Sequence, residues 1–259
     1  MQHSTSYIVL FAAAVCAVCS VFVSGAAVLL ADRQAANIAL DRQKKVLAVA
    51  GLIQDGENIS GDAAQRLFDE NIVEEMVDLE SGAVLEGADA ASFDQRKAAK
   101  DPATSREAPP NAAKVRRVPD QGLVYRVVQG GEFKSVIVPI SGQGLWSTLY
   151  GYIALAADTQ TVLGITFYEH GETPGLGGEI DNPRWKALWK GRKVYDGRGR
   201  PLINVKKGLA GPADTDPYNV DGLSGATITS RGVGNLVRFW LGQDGFGPYL
   251  ASARVGGQS

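Results

Sequence analysis

A chain of 259 residues, 45% of them hydrophobic, is long enough for a large domain with appendages and a substantial core. Its net charge of −2 offers no basic field for nucleic acid, and two histidines with two cysteines are too few for a multi-ligand His/Cys metal centre. The 31 glycines point instead to tight turns and to close approach of backbone to a ligand.

Residues 7–31 form a run of 25 residues without a charge. At ~1.5 Å per residue this more than spans a hydrocarbon core of ~30 Å. Tyr7 suits one interface and Asp32-Arg33 the other. A cleaved signal peptide would show a basic leading region and a shorter apolar run. Residues 1–6 carry no Lys or Arg, so the expectation is a short tail followed by a retained transmembrane anchor over 7–31. Cys16 and Cys19 lie one turn apart within the span and read as small apolar packing residues rather than a metal or redox pair. The neighbouring alanines and Gly25 suit packing on other membrane helices. Arg33, Arg42, Lys44 and Lys45 all follow the span, which by the positive-inside rule alone would hold the rest of the chain in the cytoplasm.

Residues 32–52 continue as helix within a stalk segment, 32–58, closed by Gly51 and Gln54-Asp55-Gly56. The soluble domain is expected over 59–259. Its first helix starts near Ser60, with Ala63, Ala64, Leu67 and Phe68 inward, and a strand over 72–80 turns at Ser81-Gly82. Residues 87–119 read as a long, exposed, variable insertion with a short helix over 93–99. Strand pairs follow at 123–128 with 133–140, across Gly130-Gly131, and at 150–157 with 162–168, across Asp158-Thr-Gln. Asn182 and Pro183 open a helix carrying Trp185, Leu188 and Trp189. A short strand over 202–205 and the segment 218–223 precede a final periodic helix with Val233, Leu236, Val237, Trp240 and Leu241. Paired strands with inserted helices predict an α+β fold: a largely antiparallel sheet with flanking helices, preceded by one N-terminal transmembrane helix.

Three segments between these elements carry chemistry. Asp221-Gly-Leu-Ser224-Gly225-Ala226-Thr227 delivers a hydroxyl to the entrance of a helix, where free N–H groups and the helix dipole favour a phosphate. Ser141-Gly-Gln-Gly-Leu-Trp146 follows a strand; Trp146 either faces a planar ring or belongs to the core. His170-Gly-Glu-Thr-Pro-Gly-Leu-Gly-Gly178 is too glycine-rich for a core element and suits wrapping of a polar-edged aromatic cofactor, with Glu172 as acceptor, Thr173 as hydroxyl and Leu176 as apolar wedge. His170 reads as structural. A hydrolase triad lacks its parts, since His3 and His170 are the only histidines and no Gly-x-Ser-x-Gly surrounds Ser224. Lys206 and Lys207 either neutralise a phosphate or an anionic flavin, or form a solvated charge pair. No side chain is expected to be catalytic, and no metal site is expected.

Asp221-x-x-Ser224-Gly-Ala-Thr227 resembles the flavinylation motif of the FMN-binding domain family, in which a flavin transferase moves FMN from FAD onto the motif's last threonine. The anchor, the helix around 39–52, Gly142-Gln-Gly-Leu-Trp146, Glu172-Thr-Pro-Gly-Leu-Gly177 and residues 224–230 also follow the order seen in the C-subunit family of the Na+-translocating NADH:quinone reductases. That likeness covers nearly the whole chain and is weakest over 87–119. It implies a membrane-bound electron-transfer subunit with FMN held by a phosphoester to Thr227. Ser224, Gly225, Ala226, Glu172, Thr173, Leu176, Trp146 and Lys206 are then the expected pocket. Without a dinucleotide fingerprint here, NADH is expected on another subunit of the complex, and the resemblance implies the same for quinone. The resemblance places the chain in the bacterial inner membrane as a single-pass protein with a periplasmic flavin domain, against the flanking cations. Two alternatives remain: the equivalent flavin subunit of an Rnf-type ferredoxin:NAD+ oxidoreductase, and a non-catalytic anchored binding domain.

Overall fold

The structure, a computed structural model, describes residues 4–256, with side chains described as far as Arg254. Residues 1–3 of the predicted tail, with His3, and the last three residues of the predicted soluble domain lie outside the described residues. The chain divides into two compact units, 1–42 and 43–259.

The first unit is the greater part of one helix, α1 (Thr5–Val49), which is long and apolar enough to cross a membrane. Leu10, Phe11, Phe22, Val28 and Leu29 are all exposed along it, so its apolar surface runs around the helix instead of along one buried stripe. The helix stops at Val49, short of the predicted stalk limit at 58. Gly51 takes φ 77°, its N–H donates to Ala48 O (3.0 Å) and the Leu52 N–H to Leu47 O (3.0 Å), which together close the last turn with a left-handed glycine.

The second unit holds a five-stranded, wholly antiparallel sheet built from β1 (Ile72–Asp78), β4 (Gln121–Gln129), β5 (Glu132–Gln143), β6 (Thr148–Ala156) and β7 (Val162–Glu169), in the order β1-β4-β5-β6-β7. The α+β expectation is met. Before the sheet closes come α2 (Gly61–Asn71), capped by Ser60 as expected, the short α3 (Gln95–Ala98), and the two-stranded pair β2 (Ser105–Glu107) with β3 (Arg117–Pro119). After it come a 3-10 turn (Gly177–Asp181), α4 (Pro183–Ala187), the parallel pair β8 (Asn204–Val205) with β9 (Asn219–Val220), and helices α5 (Thr227–Trp240) and α6 (Gly247–Gly256). Asn182 caps α4 through its side chain, but that helix ends before Leu188 and Trp189.

Both faces of the sheet are covered. Phe68 from α2, Tyr125, Tyr152 and Tyr168 form a row across one face at centroid spacings of 6.1, 5.7 and 5.1 Å, the first two contacts T-shaped and the third tilted. On the other, Val233, Leu236, Val237 and Trp240 of α5 join the buried residues of β5 and β6. Two glycines let α5 settle onto the end of β5. A Cβ on Gly142 would lie 2.6 Å from Leu236 Cβ, and one on Gly232 would lie 2.5 Å from Gln143 O. The Trp240 indole N–H donates to Ser141 O at 2.6 Å and fixes the register of helix on strand.

Residues 87–119, expected from composition to be an exposed insertion, are exposed in part but tied to the rest of the domain at several points. Ala113 is buried and its carbonyl accepts from the Gln143 N–H at 2.9 Å. Asn235 of α5 donates to Ala112 O at 3.1 Å. Arg96 makes a two-pronged pair with Glu169 (2.5 and 2.9 Å) and stacks 3.7 Å above the Tyr150 ring. The segment packs along the sheet because these scattered residues find partners far along the chain, which local composition does not encode.

Candidate functional site

The site is organised by the start of α5. Gly222 approaches so closely that a Cβ there would stand 2.3 Å from Lys206 O. Asp221 is committed on both sides: its carboxylate accepts from the Ala210 N–H (2.8 Å) and its carbonyl from the Trp185 indole (2.8 Å). Gly225 takes φ 71°, a left-handed conformation that turns the chain into the helix. Ala226 then occupies the cap position with no side-chain hydrogen bond to the first turn. The leading N–H groups of α5 are therefore uncapped by a side chain, and Thr227 is exposed at the first helical position.

The other hydroxyls of the stretch divide cleanly. Thr229 is fully buried and donates to Glu172 Oε2 at 2.5 Å. Ser230 is buried and accepts from the Leu223 N–H at 2.9 Å. Ser224 remains exposed beside Gly225.

Glu172 is 5% exposed and its carboxylate is already spent inside the protein. Oε1 accepts from the N–H groups of Trp146 (2.9 Å) and Ser147 (3.2 Å); Oε2 accepts from the Leu145 N–H (3.2 Å) and from Thr229. Glu172 thus sits behind the pocket as a clasp between two loops and α5, not as an acceptor held out to a cofactor. Burial by itself would raise its pKa. The Thr229 hydroxyl and the Trp146, Leu145 and Ser147 amides together outweigh burial and hold the carboxyl below its ordinary value. The glycines of both loops make room for it: a Cβ on Gly144 would meet Oε1 at 2.6 Å, and one on Gly177 would meet Oε2 at 2.7 Å.

Trp146 is 70% exposed, which removes the core reading. Leu176 is 45% exposed, and its Cδ2 lies 3.0 Å from where a Gly225 Cβ would be, over the loop that leads to Thr227. Thr173 is exposed, and its carbonyl accepts from the Leu176 and Gly178 N–H groups at 3.1 and 2.9 Å to shape that wedge. His170, expected to be structural, makes two contacts: Nδ1 accepts from the Glu172 N–H (3.2 Å) and Nε2 faces Asp181 Oδ2 (2.8 Å).

A cavity of about 250 Å³ opens beside the start of α5, lined by Asn204, Lys206, Lys207, Leu223, Thr227 and Arg231 among others. Lys206 lies 3.6 Å from Asp216, outside that lining. The structure thus brings Thr227 and Lys206 to one cavity and stacks Leu176 over Gly225, while Glu172 and Trp146 join the site through the clasp. Sequence reasoning misses two residues. It gives Thr229 no partner and Arg231 no role, although Arg231's spacing of four from Thr227 places both on one helix face.

These features suit FMN in parts. An uncapped helix start beside lysines and an arginine suits its phosphate, and exposed Trp146 and Leu176 suit its aromatic ring.

Comparison with known proteins converges on the same region. A family model described as the FMN-binding domain matches residues 144–242, from the Trp146 loop through α5. The C subunit of the Na+-translocating NADH-quinone reductase of Pseudomonas aeruginosa is 48% identical over 258 residues, 98% of each chain. The protein of that name from Vibrio parahaemolyticus is 48% identical over 246 residues, 93% of this chain and 92% of its own. Among solved structures, NqrC of Shewanella oneidensis superposes with a TM-score of 0.75 at 35% identity, covering 82% of this chain and 96% of its own. The C subunit of the same reductase from Parabacteroides distasonis gives 0.66 at 30% identity, covering 85% and 96%. Identity of this level over nearly the full length, with the glycine loops and the start of α5 inside the matched domain, means that the chain belongs to the family of C subunits of Na+-translocating NADH-quinone reductases.

Proposed function

We propose that this chain is a membrane-anchored electron-transfer subunit of a sodium-pumping NADH:quinone oxidoreductase, with FMN attached as a phosphoester on Thr227. The observation that carries the attachment point is the division of hydroxyls around α5. Thr227 is exposed at the uncapped helix start and lines the cationic cavity, whereas Thr229 and Ser230 are buried and bonded, and Ser224, though exposed, is not among the residues lining that cavity. Thr227 would be the acceptor when a flavin transferase moves FMN from FAD, its hydroxyl oxygen forming the ester bond to phosphorus as the pyrophosphate bond breaks and AMP leaves.

Bound FMN supplies the redox chemistry, and the chain supplies position and electrostatics. The first N–H groups of α5 and Lys206 would hold the phosphate. Ser224, Gly225 and Ala226 form the close approach to it. Leu176, Thr173 and Trp146 would border the ring. Glu172 holds the Trp146 loop against α5, so that the pocket walls keep their spacing. No side chain of this site is assigned a catalytic role, and NADH and quinone bind other subunits. The isolated chain is therefore inactive by itself.

The anchor is the N-terminal helix over residues 7–31, with lipid around it, and the flavin domain lies in the periplasm of a bacterial inner membrane. The cations after the span argue the other way, but large domains translocate largely regardless of flanking charge. A reporter fused at Ser259 reads the topology, and a cytoplasmic signal removes the periplasmic assignment. The attachment is tested by making the full chain with its transferase, denaturing it and viewing the gel for yellow-green fluorescence. Thr227→Val abolishes the signal while the fold survives; fluorescence retained in that variant sinks the assignment.

A further inference from the structure

We propose that Arg231 is the cation that receives the phosphate ester on Thr227. The inference rests on the covalent reading above and assigns a positioning role to a residue outside the predicted pocket. Arg231 follows Thr227 by one turn of α5. Side chains on a helix lean toward its N-terminus, so a residue at i+4 covers the turn that begins at i. The two residues line the same cavity of about 250 Å³.

Among the described residues, two cations lining the cavity, Arg231 and Lys207, have no partner, and of the two only Arg231 shares a helix face with Thr227. Lys206 is partly offset by Asp216 at 3.6 Å. Asp221, on the loop opposite, is held by the Ala210 N–H. No carboxylate is among the residues lining the cavity, and Arg231 makes no side-chain hydrogen bond or ion pair among the described residues. Arg238, two turns on, shows the contrast: its guanidinium is taken up by Ile203 O, Asn204 and Asn235. An unpaired surface arginine is ordinary; one beside the attachment point, in a cavity without a counter-charge, is not. A phosphodiester carries one negative charge and presents two free oxygens, which a guanidinium meets with two parallel N–H donors as an ammonium cannot. Arg231 thereby fixes the phosphate against the helix start and limits the swing of the flavin it tethers.

The test is a thermodynamic cycle on the full chain in detergent. Wild type and Arg231→Gln are each made with and without the flavin transferase, and thermal midpoints are compared. Arg231 is exposed and unpaired without flavin, so the two unmodified proteins melt alike. Flavin attachment raises the midpoint of wild type, and the rise is smaller in Arg231→Gln. Arg231→Lys, which keeps the charge, recovers part of the loss. Added salt shrinks the rise more in wild type than in Arg231→Gln. Subtracting each variant's own unmodified midpoint removes any effect on folding alone. Equal rises in wild type and Arg231→Gln, including no rise in either, overturn the role of Arg231 and leave Thr227 attachment standing. Absence of covalent flavin from wild type on a denaturing gel overturns the reading beneath it instead.

Discussion

Thr229 donates its hydroxyl to Glu172 Oε2 at 2.5 Å in a fully buried contact, and this one bond joins helix α5, through Glu172, to the loop that carries Trp146. The carboxylate accepts three part-buried backbone N–H groups besides, so removing it strands these together with the buried Thr229 hydroxyl. Leaving a buried donor unmet costs about 1–3 kcal/mol. Glu172→Ala is therefore expected to destabilise the full chain by about 2–4 kcal/mol in chemical unfolding, allowing for partial rescue of the amides by water. Glu172→Gln retains one oxygen but turns an amide N–H₂ toward donors, and is expected to cost about 1–3 kcal/mol. An unfolding midpoint unchanged in Glu172→Ala would show that the clasp contributes nothing.

The same carboxylate predicts a pH dependence. Its folded pKa is held below the ordinary value of 4.5, so the folded state binds its proton less readily than the unfolded chain does. The stability it contributes is fully present above the unfolded value and is lost as pH falls through the folded one. Asp158 and Asp55 are also lowered and add their own acid sensitivity. The difference between wild type and Glu172→Gln isolates the clasp: it should be constant above about pH 5 and shrink at lower pH. A difference that widens on acidification contradicts the assignment.

Thr227 and Thr229 differ by two residues and are expected to respond in opposite ways. Thr227→Val removes the covalent flavin and barely changes the stability of the unmodified chain, because Thr227 is exposed. Thr229→Val keeps the flavin on Thr227 but leaves Glu172 short of a donor, costing about 1–3 kcal/mol. Gel fluorescence and an unfolding curve on each variant separate the two. Fluorescence lost from Thr229→Val, in protein shown to be folded, would mean that the acceptor is misassigned.

Much of this arrangement is legible in the sequence because it rests on local rules. Alternating apolar runs mark the strands of the sheet, Ser60 and Asn182 mark helix starts, and Gly51 marks the end of α1. The exposed Thr227 follows from a small-residue loop meeting a periodic helix. What stays hidden depends on contacts distant in sequence. Nothing near Glu172 indicates that its oxygens are taken by amides 25 to 27 residues away and a hydroxyl 57 away. The packing of 87–119 through Ala113, Asn235 and Arg96 is hidden for the same reason. Arg231 is legible in principle, from its spacing to Thr227, once the helix start is fixed at that threonine.

Gly222 offers a test of how tightly the attachment loop is built. A Cβ there would stand 2.3 Å from the backbone oxygen of Lys206, and backbone cannot swing aside as the end of a side chain can. Gly222→Ala must therefore push the 221–226 loop away from the lysine segment, at a cost of about 1–3 kcal/mol for overpacking. The shift also separates Thr227 from Lys206, two residues that line one cavity. Both stability and the yield of covalent flavin should fall. Gly197 supplies the control: nothing lies within 4 Å of its Cβ position, so Gly197→Ala should match wild type in both readings. If Gly222→Ala is flavinylated as fully as Gly197→Ala, the spacing between the loop and Lys206 has no part in attachment, and Lys206 no longer counts among the residues that hold the phosphate.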